Sequence, residues 1–544
     1  MKVKRFLAIL LCLAMLFALV ACGAKGNDTP KDNSTPSGNE TPSGSDTPKD
    51  DTPKDDTPKA DDTPVRDSLT VGVALDTGTL DPLGMSGTGS LMEACTCYLE
   101  PIVDYKAGME EVFLLATGID EVTPTQWTIH IREGVTFSNG NPLTADDVLF
   151  TLQLYHDTPA RTMNVQSLDL ENSKVIDDYT LDLRLTTYNV AQRTMLSQVY
   201  IVDKESYDPV DFGVHPVGTG PYVCTEYVVN SHTKFEARDD YWGTKPSIKY
   251  IQFKILAEDS QRSNALSTGT VDSVRVPVQD IEYVKTLPNY NVEFNLSGTS
   301  TMVLFSTDPS SPMADVEARY AVCHAINGQA IANLIYNGYA DLTDYPLSRG
   351  MIDYTDEIAN LNETYSIGYN VDKAKEYAEK SGLVGKTVRI LTNGTQEYSG
   401  MAEIIQGNLS DIGVKAEILN YDQATLRSLY RSDGTSYDIC LYFAASVTKL
   451  AADVLVSYVN FSQIFLAGGW EGFDRFKEIA PSALGDPDPA VRKAALKEIT
   501  QIIEDAALWY GVCDQRNAYA FNKDLNNVNF WGGGGLRYYE WSWS

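Results

Sequence analysis

HPVGTGPYVCTEYVVNSHTKFEARDDYW, running from His215 to Trp242, contains a complete small structural unit. Pro216-Val217-Gly218-Thr219-Gly220-Pro221 is a compact loop, and its two glycines are expected to take backbone angles closed to other residues. Tyr222 to Val229 reads as a strand, Asn230-Ser231 as a turn, and Lys234 to Arg238 as the returning strand. Asp239-Asp240, the aromatic pair Tyr241-Trp242 and Gly243 close the unit.

The neighbouring segments are strands and helices of the same compact kind. Upstream, Leu69 to Leu75 is a first strand and Thr79-Leu80-Asp81-Pro82 turns the chain away. Trp127 to Glu133 is another strand. Thr144 then caps a helix whose first turn carries Asp146 and Asp147 at its positive end. Val148, Leu149, Leu152 and Tyr155 give that helix an apolar face, and Lys174 to Thr187 reads as a hairpin. Downstream, Tyr250 to Leu256 is a strand and Glu258 to Thr268 a helix closed by Gly269.

From about Ser297 the pattern changes to strand–helix units. Met302 to Thr307 is a strand, followed by helices from Asp315 to Asn327, Ala330 to Tyr336 and Val371 to Lys380. Thr387 to Leu391, a helix from Tyr398 to Asp411, and Val414 to Leu419 form a β-α-β unit, which implies a partly parallel sheet with helices packed on it. Tyr437 to Phe443 is a further strand, and Asp488 to Trp509 reads as one amphipathic helix. The last segments, Asn517 to Phe521 and the aromatic tail from Tyr538 to Trp543, are apolar enough to be packed rather than loose.

Four of these strings together resemble a known family: Pro216 to Tyr222, Arg238 to Gly243, Tyr98-Leu99-Glu100-Pro101-Ile102, and the block from Trp127 to Val148. They are similar to the extracytoplasmic solute-binding proteins of ABC importers, in the peptide/nickel-binding branch (family 5), and the likeness runs from Asp67 onward. The resemblance implies an α/β, two-lobed periplasmic-binding-protein-like (type II) fold with an extra subdomain in the first lobe. Residues 67–101, 216–296 and 512–544 would form the first lobe, 102–215 the extra subdomain and 297–511 the second lobe. The lobes would close on a solute about crossings near Asn295–Ser300 and Val512–Arg516. The closed form would dock on permease subunits driven by a cytoplasmic ATPase, with no chemistry and no cofactor of its own.

The same resemblance places the loop from Gly84 to Ser90 at the cleft, which makes Ser86, Gly87 and Thr88 candidate ligand contacts; a plain surface loop is the competing reading. Peptide binders of the family follow the strand equivalent to Tyr437–Phe443 with a Trp, then an Asp that takes the peptide ammonium. Those places fall near Ala444 and Val447, so neither residue is kept. Tyr442, Phe443 and Asp453 are the nearest substitutes. Short peptides are the preferred ligand. Oligosaccharides, which aromatic faces would suit, and other small solutes are the rivals. An extracellular receptor or adhesin on the same fold is the alternative of another class.

At the start of the chain, Lys2, Lys4 and Arg5 precede an apolar run from Phe6 to Val20, as in a secretory signal peptide (residues 1–22). Leu19-Val20-Ala21-Cys22 looks like a bacterial lipobox, with Cys22 acylated after cleavage. That would hold the protein on the outer face of the cytoplasmic membrane. Residues 23–66 repeat Thr-Pro among Asp, Lys, Ser and Gly without a leucine, isoleucine or aromatic residue, and are expected to be an unfolded tether.

The formal charge of −31 argues against nucleic acid and anionic lipid as partners. A monomer is expected. Six cysteines follow Cys22, scattered widely enough to favour buried free thiols over disulfides. Enzyme motifs carry little. Ser446-x-x-Lys449 fits S-x-x-K without the strings that accompany it in penicillin-binding enzymes. The five histidines have no metal spacing, and Gly532 to Gly535 lacks the ending of a phosphate loop.

Overall fold

The computed structural model describes residues 66–85, 90–345, 347–432, 434–445, 448–532 and 535–544. The signal segment, Cys22 and the Thr-Pro segment lie outside the described residues, as do Ser86, Gly87, Thr88 and Ser446. In chain order the strands of the main sheet are β1 (Ser68–Val73), β2 (Tyr222–Val228), β3 (His232–Ala237), β4 (Tyr250–Ile255), β5 (Ser273–Val276), β6 (Tyr290–Phe305), β7 (Thr387–Thr392), β8 (Lys415–Asn420), β9 (Ile439–Ala444) and β10 (Trp509–Asn522). The order across the sheet is β8-β7-β9-β6-β10-β5-β1-β4-β3-β2, with Ala340–Leu342 pairing on β10.

β1 runs parallel to β4 and β5, and β7 parallel to β8 and β9. Between these parallel groups lie the two longest strands, β6 and β10, paired antiparallel along most of their length. The molecule is therefore a two-lobed α/β fold whose halves share one sheet through two strands. β6 alternates into two cores: Met302 and Leu304 join one cluster, Val303 and Phe305 the other. A strand buried on both faces needs helices on both sides, which the second lobe supplies. In the first lobe β10 does the same, with Tyr519 and Phe521 on one side and Ala518 and Ala520 on the other.

The His215–Trp242 stretch folds as the hairpin β2–β3, with Asn230 in the left-handed region at its turn (φ 59°). Its loop glycines answer to a different cause than backbone angle. Neither Gly218 nor Gly220 has a positive φ; instead a Cβ on Gly218 would stand 1.9 Å from the Tyr98 carbonyl oxygen, and one on Gly220 2.6 Å from the Tyr98 carbonyl carbon. Close approach of two backbones is what excludes a side chain.

Arg238, only 5 % exposed, explains the rest of the motif. Its guanidinium donates to the carbonyls of Thr136 (3.2 Å), Phe137 (3.2 Å), Gly218 (3.2 Å) and Gly220 (3.3 Å), and pairs with Asp240 at 3.0 Å. The Tyr241 hydroxyl and Trp242 indole donate to the two oxygens of Glu100, at 2.7 and 3.0 Å. Burial pushes the Glu100 carboxyl up to about 7. Loop, hairpin and the Tyr98–Ile102 phrase are thus one hydrogen-bonded unit.

The helices that bear on function are α1 (Ser90–Tyr98), α2 (Ala145–Asp157), α3 (Gly328–Leu334), α4 (Gln396–Asp411), α5 (Ala451–Phe461) and α6 (Pro489–Asp505). α2 starts as expected, with the Thr144 backbone N–H donating to the Asp147 carboxylate at 2.8 Å. The Asp488–Trp509 helix is shorter than its apolar pattern suggests. α6 ends at Asp505, Ala507 takes φ 42°, and Trp509 already begins β10. Its last carbonyls are taken by Arg319, whose Nε donates to Ala506 O at 2.8 Å, and by the Tyr320 hydroxyl on Asp505 O at 3.0 Å. The C-terminal tail packs into the first lobe, with Tyr538 and Trp541 rings 4.7 Å apart. All six cysteines of the described residues are free, five of them buried. No helix among the described residues is long and apolar enough to cross a membrane.

Candidate functional site

A cavity of about 690 Å³ opens between the two halves of the sheet. One wall is β5 with the carboxyl end of β1 and Glu93 of α1; the other is the segment from Leu334 to Asn337 after α3 and the first turn of α4. Carboxyl ends of parallel strands are where open α/β sheets place ligands, because the loops there diverge. The volume lies in the range of pockets for small solutes.

The first wall carries Glu93, whose carboxylate receives the Tyr538 hydroxyl at 2.9 Å; burial raises its pKa. Arg275 stands exposed on β5 and donates to the Asn517 side chain. Ser273 lies two residues earlier on the same strand, 1 % exposed, and its hydroxyl has no hydrogen-bond partner among the described residues. Arg262 is committed elsewhere: it pairs with Asp259 and donates to Leu256 O at 2.8 Å.

The second wall is held by the shared strands. Gln515 of β10 donates through Nε2 to Glu397 at 2.7 Å and to the Tyr336 hydroxyl at 2.9 Å, and that hydroxyl donates to Glu397. Glu397, in the first turn of α4, is therefore fixed in place by neutral donors.

Where β6 and β10 pass from one half to the other, their register breaks between Leu296 and Ser300. Gly298 takes φ 71° there, and a Cβ on it would stand 2.8 Å from the Gly350 carbonyl oxygen. Asp514 of β10, 1 % exposed, accepts from the Ser300 hydroxyl and from the Arg349 backbone N–H at 2.8 Å. Burial pushes its carboxyl up to about 6. The same loop carries Ile352, which packs into the core of residues from Leu83 to Ile201.

Of the residues expected to touch ligand, Tyr442, Phe443 and Asp453 lie among the described ones. None lines the 690 Å³ cavity. Tyr442 is 4 % exposed in the second lobe's core, its ring 4.5 Å from Phe443 and 4.7 Å from Tyr430. Phe443 is half-buried against the same core. Asp453, in the first turn of α5, accepts from the hydroxyls of Thr448 and Ser457, each at 2.8 Å. Beside it the Ala451 N–H donates to both oxygens of Asp353 (3.1 and 3.0 Å), whose carboxyl burial pushes up to about 6. Lys449 precedes them in the left-handed region (φ 54°); burial lowers it to about 8, against the attraction of Glu93 across the gap.

Glu93, Arg275, Tyr336 and Glu397 escaped the sequence reading. The one local signal is a lone arginine between the valines of the strand Ser273–Val276; the others meet only through topology. Among the described residues no group of three or more His, Cys, Asp and Glu is placed to hold a metal ion.

Comparison with known proteins agrees with this geometry. Residues 112–461 match the profile of the bacterial extracellular solute-binding proteins, family 5, middle region. The dipeptide-binding protein of Escherichia coli (strain K12) is 27 % identical over 358 residues, covering 59 % of this chain and 65 % of that one. The nickel-binding periplasmic protein of the same organism is 25 % identical over 401 residues, covering 67 % and 73 %. In structure, the ABC transporter substrate binding protein CtaP from Listeria monocytogenes superposes with a TM-score of 0.76 at 19 % identity, over 88 % of this chain and 99 % of that one. Profile, relatives and fold converge: the chain belongs to the bacterial extracellular solute-binding proteins, family 5, a family of binding proteins rather than of enzymes.

Proposed function

We propose that this protein captures short peptides outside the cell and delivers them to an ABC import permease, working as a monomer held to the outer face of the cytoplasmic membrane by lipid on Cys22. The observation that carries the peptide reading is the cavity between the lobes, with a guanidinium on one wall and a carboxylate on the other. Such walls suit a ligand that brings both charges. A peptide-binding relative supports it, since the Escherichia coli homologue is a dipeptide-binding protein. We take the first lobe as 67–101, 216–296 and 512–544 with its subdomain at 102–215, and the second as 297–511. Ser86, Gly87, Thr88, Tyr442, Phe443 and Asp453 remain candidate ligand contacts.

A thermal-shift screen of the full-length protein against di- to pentapeptides, oligosaccharides and nickel tests the reading. A ligand that binds only the folded chain stabilises it by about 2.7 kcal/mol at a hundredfold excess over its Kd. Stabilisation by peptides is expected. A shift with sugars or nickel and none with peptides would overturn it.

A further inference from the structure

Within that cavity Arg275 stands on one wall and Glu397 on the other, and neither is in an ion pair among the described residues. Arg275 has no carboxylate within 4 Å among the described residues, and its one hydrogen bond goes to the neutral Asn517 side chain. Glu93 on the same wall is held by tyrosine hydroxyls, and burial raises its pKa while the charge of Arg275 acts the other way; the two form no ion pair. Among the described residues Glu397 opposite receives only Tyr336 and Gln515, both neutral. We propose that Arg275 and Glu397 read the two ends of a zwitterionic ligand, the carboxylate of a short peptide lying on Arg275 and its ammonium on Glu397. This rests on the peptide reading above and assigns it to named residues.

Three features of the structure support the assignment. Arg275 presents a planar fork that matches a carboxylate in two parallel hydrogen bonds, which a lysine does not. Ser273 and Arg275 stand two apart on one strand and so share a face, placing an unpartnered buried hydroxyl where a carboxylate needs a further donor. Glu397 has its position fixed by two groups, Gln515 and Tyr336, which also hydrogen-bond each other. A pre-positioned carboxylate gives affinity without ordering cost at binding.

The placement also couples recognition to closure. Arg275 is on β5 and Glu397 on α4, on opposite sides of the shared pair β6 and β10. A ligand holding both therefore interacts more favourably with the closed arrangement than with the open one, the condition for shifting that equilibrium. A neutral sugar in the same cavity would offer both groups hydroxyl hydrogen bonds but no opposite charge.

Titration calorimetry on the full-length protein tests this with trialanine, its N-acetyl form and its C-amide, against wild type, Arg275→Gln and Glu397→Gln. Arg275→Gln is expected to weaken trialanine at least tenfold and leave the C-amide at its wild-type affinity. Glu397→Gln is expected to weaken trialanine similarly and leave the N-acetyl form unchanged. Arg275 is exposed and Gln keeps the acceptor at Glu397, so both variants should fold; unchanged melting temperatures without ligand check that. Wild-type binding of trialanine by both variants, or loss of carboxylate reading in Lys449→Gln instead, overturns the assignment alone. If wild type binds none of the three peptides, nor any other short peptide, the peptide reading falls with it.

Discussion

Arg238 shows how one side chain can join motifs that are distant in the chain. It reaches four backbone carbonyls, two from the Gly134–Phe137 block and two from the Gly218–Gly220 loop, while 5 % of its surface meets solvent. Arg238→Ala would leave those carbonyls without a donor in a space water does not reach. The expected loss is about 3 kcal/mol or more, since each buried unsatisfied group costs about 1–3 kcal/mol. Urea unfolding followed by tryptophan fluorescence measures it. Arg238→Lys should recover only part, because an ammonium cannot span the fork of acceptors. A loss below about 1 kcal/mol in Arg238→Ala would mean the loop is held by packing alone.

At the scale of elements, the shared strands β6 and β10 decide how the halves relate, and Asp514 is their most exposed weakness to pH. Its carboxyl is raised from 3.8 to about 6 by burial, while Ser300, Ser348 and Arg349 favour the charged form. Between those values the folded chain keeps a proton that the unfolded chain has lost, so this group's contribution to stability falls as pH rises from about 4 to about 6 and is level above. Two pK units correspond to about 3 kcal/mol. Asp514→Asn removes that term and cannot titrate. The unfolding free energy of wild type minus that of the variant should therefore drop by about 3 kcal/mol between pH 4 and pH 7. A difference that is flat with pH would place the Asp514 carboxyl in its ordinary range.

Elements were largely legible in the sequence, and the reasons for the misses are local. Strand and helix periods located the hairpin and the β-α-β unit to within a few residues. The helix ending at Asp505 is overread because Leu508 and Trp509 continue its apolar pattern, although Trp509 already belongs to a strand whose pairing lies across the sheet. Gly218 and Gly220 were marked correctly as special, yet for the wrong cause, since contact with Tyr98 is invisible until helix and loop are docked. The site was harder to read. Tyr442 and Phe443 stand beside the place of the family's Trp in the sequence, and neither lines the cavity. Arg275 and Glu397 become a site only when the sheet brings β5 and α4 to one cavity.

The whole molecule adds a field that no single residue explains. Almost all of the formal charge of −31 belongs to the residues after Arg66, so the two lobes present a strongly negative surface to an approaching solute. Such a field concentrates cations near the cleft and can change association rates by about 10- to 1000-fold. It is screened over about 10 Å at 0.1 M salt and about 3 Å at 1 M. For a binding protein of peptides this predicts a kinetic preference by charge, separate from the end recognition at Arg275 and Glu397. In stopped-flow mixing at low salt, a lysine-rich tripeptide should associate at least tenfold faster than an aspartate-rich one of equal length. Raising the salt to about 1 M should bring the two rates together by slowing the first and speeding the second. Dissociation rates should change far less, because they report contacts inside the closed cavity. If the two association rates match at low salt, the negative surface serves solubility alone and plays no part in gathering the ligand.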